Sequence, residues 1–227
     1  MDPLHVCIAL GPLAMYLLLL GVINLSRRPF ITTGGRDIAA LGVAISGLIV
    51  AGPMELFLPE SAADRFGPYA WLLMLGLYAL SIVLLVLLMR PRIVVYNITL
   101  EQLRPALADA VSRLDDETRW ASESLVMPNL GVHLHLEPSH WWNNVQLISS
   151  GSHQSPSGWR RLERELAAEL RTMPGSPSPY GVSLIAFGLL LSGWVTYWLA
   201  TEPQQVTDGL ADMLRLEEVS GEQKGKR

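Results

Sequence analysis

The chain has 227 residues, half of them hydrophobic and only 17% charged, whereas soluble globular domains carry roughly a quarter charged residues. A net charge of −4 excludes the basic footprint of a nucleic-acid binder. Cys7 is the single cysteine, which excludes an internal disulfide and any cysteine-based zinc cluster.

The first segment, MDPLHVCIALGPLAMYLLLLGVINL, lacks the positively charged start and small-residue cleavage site of a signal peptide, and is read as a retained span over residues 6–25. Cys7 sits there as a small buried hydrophobe, without the upstream basic and apolar stretches of a lipobox. A helix crosses the hydrocarbon core with about 20 apolar residues. Three further segments meet that length, at 38–58, 69–89 and 180–200. The intervening SRRPFITTGGRD reads as a basic loop carrying Arg27, Arg28 and Arg36.

Small residues crowd the second span, with Gly42, Gly47 and Gly52 interleaved by Ala40, Ala44, Ser46 and Ala51. Such residues let helix backbones approach closely, so this span is expected at the centre of a four-helix bundle. The same face offers an oligomer interface as the alternative to packing within one chain. Glu55 is the one carboxylate inside a span; its place near the outer end, after Pro53, points to an interfacial or helix-ending role. No Asp, Lys or His at mid-membrane depth completes a relay with it, which weighs against a transporter or channel subunit.

Basic residues set the expected orientation, because short cytoplasmic loops are enriched in Lys and Arg. The first loop is basic, and the second carries Glu60 and Asp64 against Arg65. Arg90 and Arg92 follow the third span, and Arg160, Arg161, Arg164 and Arg171 precede the fourth. The tail after the fourth span opens with Glu202, Asp208 and Asp212. The expectation is a bacterial-type inner membrane with both termini outside and the central domain in the cytoplasm.

Between the third and fourth spans the pattern changes. RIVVYNI reads as a strand. Thr99 and Gln102 have capping-box spacing and open LEQLRPALADAVSRL, whose apolar face is Leu100, Leu103, Leu107, Ala110, Val111 and Leu114. Pro105 should kink this helix or mark a later start. Short strands are expected at TRWA, SLVM, GVHLHLE and NVQLIS. A second amphipathic helix follows in SGWRRLERELAAELRTM, with Trp159, Leu162, Leu166, Leu170 and Met173 as its stripe and Arg161–Glu165 at i,i+4 spacing. The predicted fold is therefore a membrane all-α bundle of four transmembrane helices plus a small soluble α+β two-layer domain at 91–173. A proline-rich linker, 174–179, would lead to the last span, and a polar tail, 201–227, carries a weak stripe of Val206, Leu210, Met213 and Leu214.

One stretch of that domain carries candidate chemistry. In GVHLHLEPSHWW, strand alternation puts His133, His135 and Glu137 on one face and Val132, Leu134 and Leu136 on the other. Two imidazoles at i and i+2, with His140 or His153 as a third ligand, would suit a divalent metal such as zinc in an open site. Glu137 would then serve as ligand or general base. The same alternation equally describes the solvated face of a two-layer sandwich, and this is the preferred reading, with no cofactor expected. Trp141 and Trp142 are candidates for the membrane interface or for capping the core.

The reading that follows is a non-enzymatic integral membrane protein, in contact with the lipid bilayer, whose cytoplasmic domain binds a protein partner or helps assembly. The alternative is a membrane-tethered metal-dependent enzyme using the His-x-His-x-Glu strand. A third reading, a transporter or channel subunit, would centre on Glu55.

Overall fold

Four runs, Leu4–Leu25, Gly34–Pro53, Tyr69–Leu88 and Tyr180–Thr201, are long and apolar enough to cross a membrane. In the computed structural model each is helical: α1 (Pro3–Leu25), α2 (Gly34–Ile49), α3 (Tyr69–Leu88) and, at the end of the chain order, α6 (Tyr180–Thr201). The structure describes residues 3–54, 69–139, 143–151, 154–201 and 203–204. These fall into two compact units, one within 1–18, 39–85 and 186–227 and the other within 19–38 and 86–185.

In the first unit the buried side chains are small apart from Leu4. Ala14, Ala44 and Ala70 are buried. A Cβ on Gly47 would overlap the Ile8 carbonyl, and one on Gly42 would press on Ile82. The Tyr78 hydroxyl donates to the Gly42 carbonyl at 2.6 Å. Two of the three glycines expected to mediate helix contact are thus used within the chain, while a Cβ on Gly52 would meet nothing within 4 Å among the described residues. The large apolar side chains, such as Leu72, Leu77 and Leu190, point outward.

The second helix starts earlier than its hydropathy suggests. Thr33 caps it, accepting from the Arg36 N–H at 3.4 Å, and Asp37 lies in the first turn, where the helix dipole favours a carboxylate. It passes into a π-helical turn, Val50–Met54, containing Pro53. A proline ring crowds the carbonyl four residues back, here Ile49, and a wider turn relieves that clash.

The second unit holds a six-stranded antiparallel sheet in the order β1-β2-β6-β5-β4-β3. Its strands are β1 (Phe30–Thr33), β2 (Arg92–Tyr96), β3 (Arg119–Ala121), β4 (Ser124–Met127), β5 (Val132–Ser139) and β6 (Asn144–Ser149). Two further helices, α4 (Leu100–Leu114) and α5 (Pro156–Leu170), share one core with it. The mixed α+β class and the four long apolar helices agree with the expectation.

β1 was not expected. It comes from the basic segment between α1 and α2 and pairs with β2 from Phe30↔Tyr96 to Thr33↔Ile93. Phe30, Ile31, Thr32 and Thr33 are all good strand formers, but four residues between arginines and two glycines make too short a run to stand out.

The strands alternate as a half-covered sheet should. Ile93, Val95, Leu125, Met127, Val132, Leu134, Leu136, Val145 and Leu147 are buried in the core. Leu103, Leu107 and Val111 of α4 meet Trp159, Leu162, Leu166 and Leu170 of α5 in the same core.

The capping box at Thr99 and Gln102 is formed in both directions. The later start expected as one outcome of Pro105 does not occur: the helix begins at Leu100, capped by Thr99, and is continuous to Leu114. The bond Pro105 cannot make is to the Glu101 carbonyl in the first turn, and Glu101, Arg104 and Pro105 are all exposed, so water can serve that carbonyl. Arg161 and Glu165 form no ion pair with each other. The pairs on these helices run between elements instead, Arg113 with Glu169 and Arg36 with Glu163.

The proline-rich linker is pinned. Gly175, Ser176 and Ser178 donate their backbone N–H groups to the carbonyls of Arg27, Asn97 and Asn24 at 2.7, 2.7 and 2.9 Å. Asn97 organises this region from a left-handed backbone (φ 60°), its side-chain amide donating to the Ile23 carbonyl.

Candidate functional site

β5 lies between β4 and β6, which sets the neighbours of each candidate residue. His133 is opposite Val126; His135 is flanked by Ser124 and Ile148; Glu137 is opposite Gln146. Val132, Leu134 and Leu136, the alternate residues, are fully buried under the helices. The imidazoles and the Glu137 carboxylate therefore occupy the sheet face opposite the core, with His133 half-buried and His135 and Glu137 exposed.

Each histidine has its own local role. His135 Nδ1 lies 3.1 Å from the Ser124 hydroxyl, a cross-strand pair that either tautomer can satisfy. His133 is held through its backbone by Gln154. That side chain accepts from the His133 N–H at 3.3 Å and donates to the His133 carbonyl at 3.0 Å and to the Ser150 carbonyl at 2.6 Å. The Trp159 indole N–H donates to the same Gln154 oxygen at 2.9 Å. Gln154 thus imitates a strand residue beside β5 and ties it to the start of α5. A lone glutamine after a Ser/Gly-rich loop offers no sequence signal for this role.

Among the described residues no group of three or more His, Cys, Asp or Glu side chains is placed to hold a metal ion. His133, His135 and Glu137 share a face without converging as one. His140 and His153, each proposed as third ligand, lie outside the described residues, as do Trp141, Trp142 and Glu55. Beside the β5–β6 hairpin lies an open groove of about 480 Å³, edged by Glu101, Glu123, Ser139 and Asn144.

A carboxylate that the sequence did not flag is the most engaged acid of this unit. Asp115, 3% exposed at the C-terminus of α4, accepts from the Glu117 N–H at 3.0 Å and from the Asn129 N–H and side-chain amide at 2.9 and 2.8 Å. Burial pulls its pKa up, but these donors together with the Leu130 N–H outweigh it and hold the carboxyl below the usual aspartate value. It joins the end of α4 to the β4–β5 turn. The exposed Arg113 beside it is pushed further toward its charged form by its hydrogen bond to Glu169.

The edges of the sheet differ. β1 closes one side. β3 forms the other, with all three residues exposed and Trp120 42% accessible. An edge strand presents unpaired N–H and C=O groups to any further strand. No protein-family model matches the chain, and neither a curated protein nor a solved structure matches it.

Proposed function

We propose that this is a multi-pass integral membrane protein of a bacterial-type inner membrane, non-enzymatic, whose cytoplasmic α+β unit binds a protein partner or supports assembly. The observation that carries the reading is the β1–β2 ladder. Its two strands come from the segment between α1 and α2 and the segment between α3 and α6. A ladder needs both on one side of a membrane, and four alternating spans put them there. Both segments are the basic ones, which supports the cytoplasmic side. The exposed β3 edge with Trp120 supports partner binding, since strand addition at a sheet edge supplies main-chain hydrogen bonds to an incoming segment.

Impermeant thiol labelling of single cysteines in a Cys7→Ser background tests the threading. A cysteine at Ser220 should react in intact cells, and one at Ser124 only after permeabilisation; the reverse pattern overturns the orientation. A photo-crosslinker at Trp120 should then yield one recurrent adduct from the full chain in its membrane. No adduct, together with a stoichiometric divalent metal that is lost in His133→Ala, would replace this reading by the metal-dependent one.

A further inference from the structure

A groove of about 360 Å³ opens where the start of α2, the end of α3, the start of β2 and the first turns of α5 meet. Three arginines are among its lining residues, Arg90, Arg92 and Arg160. Among the described residues none of the three side chains has an ion-pair partner. The one carboxylate of the lining, Glu163, is already engaged by Arg36 at 2.8 Å. The groove thus holds uncompensated positive charge.

Arg92 is the least exposed of the three, and its Nε is buried without a hydrogen-bond partner. A Cβ on Gly34 would overlap the Arg92 stem, so glycine at the first position of α2 is what lets the arginine lie there. Gly35 also lines the groove, in the first turn of a 16-residue helix whose N-terminal N–H groups and dipole favour an anion.

We propose that this groove binds a phosphate group, supplied by the headgroup of an anionic phospholipid. Guanidinium groups bind phosphate through paired N–H donors, a geometry that lysine cannot offer. The volume corresponds to about a dozen waters at roughly 30 Å³ each, enough for a phosphate and its glycerol. Val86 of α3 and Met89 just after it add apolar wall to the same groove. Arg90 and Arg92 follow the last residue of α3 within four positions, and the headgroup layer extends roughly 5–8 Å beyond the hydrocarbon core. The lipid source rests on α3 being a span, which the labelling above tests separately.

The test uses the full chain in phosphatidylcholine nanodiscs with and without phosphatidylglycerol, followed by native mass spectrometry. Wild type should retain one phosphatidylglycerol. Arg160→Gln, at an exposed position of α5, and Arg92→Gln should each lower its occupancy, by about fivefold at roughly 1 kcal/mol per surface-proximal arginine. Thermal unfolding of each variant verifies folding, and Arg160→Gln keeps the test open if Arg92→Gln does not fold. A second arm titrates inorganic phosphate into the neutral nanodiscs. Stabilisation of wild type by phosphate, absent in Arg160→Gln, with no lipid retained, keeps the phosphate site and replaces the lipid by a soluble ligand. Binding of neither, or equal binding by the variants, overturns the proposal.

Discussion

The two units bury opposite kinds of side chain. Among the long helices the interior positions belong to Ala14, Ala44, Ala70, Gly42 and Gly47, while Leu77 is 66% and Leu190 65% exposed. In the α+β unit the interior belongs to Leu134, Leu136, Leu147, Leu162 and Leu166, and charge and amide face outward. Hydrophobicity drives the second arrangement, because water penalises exposed apolar surface. It cannot drive the first if the surroundings are lipid, where close backbone approach and packing decide what goes inside. One chain therefore follows two rules for where most of its leucines belong.

Substitutions can break that comparison. Leu134→Ala should cost about 2–5 kcal/mol of α+β stability, measured by denaturant unfolding, because it leaves a cavity beneath the helices. Leu77→Ala, on an outward-facing position, should change stability in bilayers by less than about 0.5 kcal/mol. Equal losses at the two sites would mean that both units bury leucine by the same rule.

Asp115→Ala should cost about 1–3 kcal/mol, since it strands the N–H groups of Glu117 and Asn129. Its pH dependence sharpens the point. A carboxyl whose folded pKa is depressed contributes stability that is complete above the unfolded value and lost as pH falls through the folded one. Wild type should therefore lose stability more steeply than Asp115→Ala on acidification below the ordinary aspartate range, and parallel curves would remove the assigned role. A small effect is also expected at Arg36–Glu163, whose side chains are 71% and 19% exposed. A double-mutant cycle should give about 0.2–1 kcal/mol, shrinking with added salt.

Much of the α+β unit was legible because its signals are local. The Thr99–Gln102 box, the Leu103–Leu107–Val111 face and the His-Leu alternation of β5 each lie within a few turns or residues of one another. What escaped was non-local. β1 is four residues whose partner is about sixty positions away, and the proline-rich segment that reads as a linker is held by carbonyls of Asn24 in α1, Arg27 after it and Asn97 after β2. Asp115 looked like one more charge at a helix end until the turn at Asn129 was brought to it.

The candidate site divides along the same line. Alternation alone put His133, His135 and Glu137 on one face and the leucines on the other, because side chains in a strand repeat every two residues. Which neighbours those histidines meet, Ser124 for one and the Gln154 clamp for the other, depends on register across β4 and on the chain returning after β6. The arginine groove likewise draws on four segments of the chain and has no sequence motif. By itself the sequence determined element type and apolar length, because periodicity and hydropathy are properties of adjacent residues. Tertiary structure alone decided which edges pair, which carboxylate is buried and where unpaired guanidinium groups gather, because those depend on residues that meet only once the chain has folded.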